Sequence, residues 1–450
     1  MLATTPSLLI LLLSFSCRFI FFGVVFAVST YSTQFENEFK ITRAESSLLT
    51  SVSCGTALLC GPIGSWLITI IGHRKSTLIG GIIMSVGFYF AGCDFILDSP
   101  ILNWFTRLYG TNNNYYNVVI FFGIIAGLGG SIVNISSVTI LNYYFTESEL
   151  SLTNGVGSGG CGLGAFVFAW AYLYVFPEWR EAFKMVGVIS SVLTVLCAFF
   201  YKTDGKDIQS DEKLNEKFDE KFLHDSRTPM FFTILRKLVT NWVFYLLIAS
   251  DFLSWLVQPV PFSHLKHLEI KDLNNSTAST SNLLAYYGIF SGSGKIVFGI
   301  LCTKSFKYWK LSPLVTFIIA QIVFGIVIIL MPFAEKNMLL LSLTSIAAFM
   351  SGAYSLVITF TSSLMTNVHE FTVCYSFMLT MEAIGTFIGP PLVGYVYEVQ
   401  SSYKLAFSIC GMVLVVSGAV LVFLIKKERF KTKSYDKSVN DSIEVQKLTF

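Results

Sequence analysis

The sequence predicts an all-α integral membrane protein with twelve transmembrane helices in two six-helix bundles. Three observations predict it. Of 450 residues, 53% are hydrophobic and 13% charged, about half the charged share of an ordinary soluble domain. Twelve apolar runs of roughly 18 to 25 residues follow one another, each long enough at 1.5 Å per residue to cross a hydrocarbon core of ~30 Å. One strongly charged interruption, residues 201–237, divides them six and six.

The first run starts close to the N-terminus, where a secretion signal would lie. It has no basic residue before it and continues past signal-peptide length through Phe26, so it is read as a span. The twelve spans fall at 8–28, 47–71, 77–97, 118–141, 152–176, 183–200, 242–262, 283–302, 314–332, 339–363, 375–397 and 405–425. The interruption is too charged to enter a membrane or build a core of its own. The expected organisation is therefore an N-terminal bundle at 1–200, a cytoplasmic central loop at 201–237, a C-terminal bundle at 238–426 and a cytoplasmic tail at 427–450.

Orientation follows from the basic residues of the loops, which concentrate on the cytoplasmic side. With the N-terminus inside, twenty Lys and Arg fall in inside segments, among them Arg74, Lys75, Lys304, Lys307 and Lys310, against nine outside. Both termini are expected in the cytoplasm, and the plasma membrane is the expected location. Asn274 and Asn275 open two overlapping glycosylation sequons in an outside loop, whereas the sequon at Asn134 lies within a span, out of reach of a glycosyltransferase.

Composition also excludes other classes. A net charge of +3 carries no basic excess of the kind nucleic-acid binding needs. Nine cysteines without a Cys-x-x-Cys pair, and five scattered histidines, give neither a disulfide framework nor a metal site. The glycine run at 155–164 lacks the Gly-Lys-Ser/Thr end of a phosphate cradle, so no nucleotide or other cofactor is expected. An enzyme is not expected.

Six plus six helices with a polar central loop describe the major facilitator architecture, in which two bundles rock around a midplane cavity. Local motifs narrow the resemblance. Residues 44–91, with a small-residue face and the turn Gly72-His73-Arg74, resemble the second and third helices of monocarboxylate transporter family proteins. Tyr144-Phe145 followed by GVGSGGCGLG resembles that family's fifth-helix motif, and IGPPLVGYVYEVQSSYKLAFSICG at 388–411 resembles its eleventh-helix stretch. The resemblance implies a secondary carrier for a small organic solute, monocarboxylate-like or related, and a single-span immunoglobulin-like ancillary protein beside it. The rival reading is a non-transporting sensor or partner-binding membrane protein.

The chain departs from the family where its chemistry sits. The acidic motif that opens the first helix is absent, and the family's first-span lysine falls near Ser29. The Asp-x-x-x-Arg pair of span eight maps onto Ser291 and Lys295. Loss of that Asp points to facilitated diffusion or exchange rather than strict proton coupling.

Ionisable residues inside spans cost ~2.5–3.5 kcal/mol at a helix centre and mark functional candidates. Arg18, Asp251, Lys295 and Glu382 are the four. Lys295 is read either as a substrate carboxylate's partner or as half of an ion pair with Asp251 or Glu382. Arg18 is read either as a cavity residue or as snorkelling to the interface. Ser291, Asn134, Asp251 and Arg18 join Lys295 as substrate-site candidates, and Asp251 and Glu382 are also the candidates for coupling. Trp255 is read as core packing before solute stacking. Gly155, Gly159, Gly160 and Gly164 strip one helix face for close packing, and Pro390-Pro391 should distort span eleven.

Overall fold

A backbone in hydrocarbon must satisfy its own N–H and C=O groups, and an apolar run does so by becoming helix. The computed structural model describes residues 5–41, 43–93, 113–146, 149–201, 230–271, 280–303, 312–334, 337–365 and 368–425. Asn274, Asn275 and the tail from 426 lie outside the described residues, as do 202–229 of the central segment. Span one is Thr5–Ala27, span five Leu150–Tyr174, span six Trp179–Phe200, span eight Thr280–Leu301 and span eleven Val368–Gln400. Spans four, nine, ten and twelve are Tyr115–Tyr144, Pro313–Phe333, Asn337–Leu364 and Tyr403–Leu424.

Spans two and three come from Arg43–Leu59 and Gly61–Ala91, and their connection is shorter than the sequence boundaries suggest. The second of these helices reverses at Gly72, whose φ of 76° is open to glycine at little cost. Gly64 and Gly80, placed symmetrically about that turn, both pack on Ile132. Eight described helices are long and apolar enough to cross a membrane on their own, with a bent pair making a ninth. The turn at Gly72 and the Gly- and Ser-diluted spans five and eight complete the twelve.

Span seven is discontinuous: Trp242–Val257 ends at Gln258-Pro259, and Val260–Lys271 resumes beyond it. Proline lacks the donor that would carry the ladder across. Span eleven, by contrast, runs as one helix through Pro390 and Pro391, with His264 Nε2 2.9 Å from the Pro390 carbonyl oxygen. The central segment also contributes structure, since Met230–Val239 is a helix that buries Phe231, Ile234 and Leu238 and pairs Lys237 with Glu370.

The face that carries the start of span one and the end of span twelve is the terminal face; the other is the distal face. Within the first bundle span one lies on span five and span three on spans four and six; within the second, span nine lies on twelve, seven on eleven and eight on ten. Across the bundles span five meets span eight and span two meets span eleven. On the distal face a short helix, Ser32–Phe39, is tied down by Glu38, which pairs with Arg180 and accepts from Trp179 Nε1 at 2.8 Å.

Candidate functional site

Glycine decides how close the bundles come. Gly155, Gly159 and Gly162 set the backbone of span five against Lys295, Gly292, Gly288 and Gly299 of span eight; a Cβ on Gly162 would lie 2.7 Å from the Gly288 oxygen. Gly160 and Gly164 face the other way, onto Phe15 and Phe19 of span one in the same bundle. One helix thus carries two bare faces, one fixed within its bundle and one lying on the partner bundle.

Polar contacts between the bundles cluster between this seam and the terminal face. Asn154 donates to Thr359 at 3.4 Å, Ser362 to Asn142 at 3.0 Å, and Ser65 to Ser376 at 3.1 Å. Above them lies a central cavity of about 130 Å³. One water needs roughly 10–15 Å³, so the space suits a small organic solute. Its distal end is flanked by Phe26 and Phe262, whose rings stack across the bundles at 5.1 Å and 8°.

The cavity wall brings together most of the residues singled out from sequence: Arg18, Asn134, Ser291, Lys295 and Glu382 all line it. Arg18 is 3% exposed and faces inward, its Nη1 donating to Ser158, rather than snorkelling to the interface. Lys295 has no carboxylate within ion-pair distance among the described residues. Ser291 shares a 3.2 Å hydrogen bond with Ser351. Asp251 stands apart, behind the wall, against an apolar gap formed by Leu247, Phe317, Val357 and Phe360.

Sequence reasoning missed two contributors, Tyr354 and Gln258, and ranked a third, Trp255, as core packing. Tyr354 lines the cavity from span ten, and its hydroxyl contacts both Asp251 Oδ1 and Glu382 Oε1, the latter at 2.8 Å. Gln258 lies at the break in span seven and lines the cavity, and its buried Nε2 finds no acceptor among the described residues. Trp255 also lines the cavity; its Nε1 lacks an acceptor too, and its ring meets Tyr354 edge-on at 5.6 Å. Gly385 and Gly389 permit this placement, because a Cβ on Gly389 would fall 1.9 Å from the Leu256 oxygen. The signal was present as a proline break and as tyrosine in a run of small residues, Ser351 to Ser355.

Arg18 Nε is a third donor without an acceptor. Two cationic side chains, and residues carrying three buried unmatched N–H groups, therefore share the wall of one small cavity. Burying such donors unpaired costs ~1–3 kcal/mol each, a cost that an acceptor-rich solute removes.

A sequence model of the Major Facilitator Superfamily matches residues 10–373 and 310–444. Monocarboxylate transporter 14 of Homo sapiens is 22% identical over 489 residues, covering 93% of this chain and 90% of that protein. Monocarboxylate transporter 10 of Homo sapiens is 24% identical over 408 residues, covering 86% and 72%. Among solved structures, the proton:xylose symporter XylE superposes with a TM-score of 0.69 at 12% identity, over 94% of this chain and 96% of its own. The transporter FucP in its outward conformation superposes with a TM-score of 0.62 at 16% identity, over 93% and 99%.

Proposed function

Because the chain belongs to the Major Facilitator Superfamily, we propose that it is a secondary carrier that moves a small organic anion by alternating access. The observation that carries this reading is that Arg18, Lys295, Trp255 and Gln258, the last two with buried unmatched N–H groups, line one cavity between two bundles. A carboxylate would be held by charge and by directed N–H groups, and its apolar body would lie against Phe22, Phe26 and Phe262.

Rocking about the glycine seam would open the two sides of the cavity in turn. The basic residues of the loops support a cytoplasmic terminal face, and the plasma membrane is the proposed location. Facilitated diffusion or exchange follows from span eight taken by itself, where Ser291 leaves no group to carry a proton. The acidic pair beside it changes that count.

A sensor or partner-binding role has less support, since an internal cavity lined by Arg18 and Lys295 is unneeded for docking at the surface. A single-span immunoglobulin-like partner, implied by the family resemblance, would copurify from a membrane extract. The test of the carrier reading is uptake of labelled lactate, pyruvate and phenylpyruvate by proteoliposomes. Lys295→Ala should lower it at least tenfold at matched protein, the loss of a charge-assisted hydrogen bond of ~1.5–3 kcal/mol. Undiminished uptake by the folded variant would remove the lysine from the site.

A further inference from the structure

Asp251, Tyr354 and Glu382 form a cluster that anion recognition leaves unexplained. They come from spans seven, ten and eleven, and both carboxyl residues are almost fully buried, Asp251 at 3% and Glu382 at 2% exposure. The Tyr354 hydroxyl contacts a carboxyl oxygen of each. A phenol has one O–H and can donate once. With both carboxyls ionised, the second contact would set oxygen lone pairs against each other. One proton on either carboxyl turns it into a second hydrogen bond, so the cluster is built to hold one proton between two acids.

The surroundings give that proton a purpose. The charged and titratable groups facing the pair are Arg18 from span one, Lys295 from span eight, Cys54 from span two, and Cys374 and Tyr375 from span eleven. Only Arg18 and Lys295 among them are cations. With one proton on the pair, two cations face one carboxylate, and the excess single positive charge matches a monoanion. Without it, two cations face two carboxylates, and an added anion would leave the cavity negative. Anion and proton therefore favour each other's binding, and by linkage the preference is reciprocal.

We propose that the Asp251–Tyr354–Glu382 cluster is the protonation site that couples organic-anion binding to a proton, one for one, in place of the absent span-eight aspartate. Glu382 and Tyr354 line the cavity and are reached from it, whereas Asp251 lies behind them against a gap with no room for water. A proton enters through the cavity onto the pair, stays while the anion is bound, and leaves through the cavity once it has opened on the other side. Only O–H bonds form and break. The inference rests on the carrier reading above.

The test uses the full chain in proteoliposomes, with membrane potential clamped by potassium and an ionophore. The probes are labelled lactate, pyruvate and phenylpyruvate. A gradient of one pH unit, acid on the distal side, should drive about tenfold accumulation for one-to-one coupling. Asp251→Asn and Glu382→Gln should reach only equal concentrations on the two sides, whatever their rate. A wild-type protein that exchanges a probe but does not accumulate it would overturn the coupling and leave the carrier standing. Should no probe cross, the carrier reading for these anions fails, and infrared spectroscopy of the purified protein decides on the cluster. A protonated-carboxyl absorption at neutral pH that shifts in Tyr354→Phe supports it; its absence from the wild type overturns it.

Discussion

Gly162→Ala separates a rocking seam from ordinary helix packing. The added Cβ would lie 2.7 Å from the Gly288 oxygen and the Gly292 nitrogen and 2.9 Å from the Gly292 Cα, all of them backbone atoms of the other bundle. Ordinary contact begins near 3.4 Å, so the bundles must part by about 0.7 Å at this point. Overpacking of this size costs about 1–3 kcal/mol. Gly162 and Gly288 line the cavity; if this part of the seam loosens as the terminal side opens, the cost falls on one conformation and shifts the balance about 5- to 150-fold toward the other. Gly160→Ala is the control. Its Cβ would meet the Phe15 oxygen at 2.5 Å, but within a single bundle that moves as a unit, so it should lower thermal stability without changing the balance. The assay is maleimide labelling of Thr359→Cys, whose native side chain accepts from Asn154 across the closed side. Labelling from the terminal face should accelerate by that factor in Gly162→Ala and not in Gly160→Ala. Equal rates in a folded Gly162→Ala protein would refute the seam.

Two further outcomes are expected. Trp255→Phe keeps a ring beside Tyr354 and removes only the unmatched N–H, so it should weaken anion binding about ten- to hundredfold, the worth of a hydrogen bond to a charged group, with thermal stability unchanged; unchanged affinity would take the indole out of the site. Asn274 and Asn275 should carry a glycan in a eukaryotic host, seen as a gel shift that Asn274→Gln with Asn275→Gln abolishes, and protease digestion of the 206–221 segment from the same side would refute the orientation.

The spans were legible because lipid leaves an apolar run few alternatives. The Gly72 turn was legible as a motif, although its tightness was not, since a positive φ cannot be counted from letters. Arg18, Lys295, Asp251 and Glu382 stood out as charges in apolar surroundings. Their directions did not. Arg18 turns inward because Ser158, 140 residues away, receives its Nη1. Tyr354 was invisible for the same reason: its role lies in two acids 103 and 28 residues distant, which no local pattern joins to it. Trp255 looked like core packing because a ring in a span usually is; its place on the cavity wall depends on the close approach of Gly385 and Gly389 in another helix.

The division of groups between the bundles gives the proposed coupling a mechanical side. Lys295, Tyr354, Asp251 and Glu382 all belong to the second bundle. Spans eight and ten are locked there by Gly294 and Gly352, where a Cβ would meet the Phe349 oxygen at 2.3 Å and the Lys295 nitrogen at 2.5 Å. That unit would rock intact. Arg18 belongs to the first bundle, so rocking would change its distance to Glu382. At an effective dielectric of 20, doubling a separation from 4 to 8 Å weakens a unit-charge attraction from about 4 to about 2 kcal/mol. A proton would therefore be held more firmly in whichever conformation draws Arg18 away, and the anion, by adding its own negative charge beside the cation, acts in the same direction. Removing that charge with Arg18→Gln should leave the acid pair able to hold its proton in both conformations, so that accumulation collapses even where binding survives.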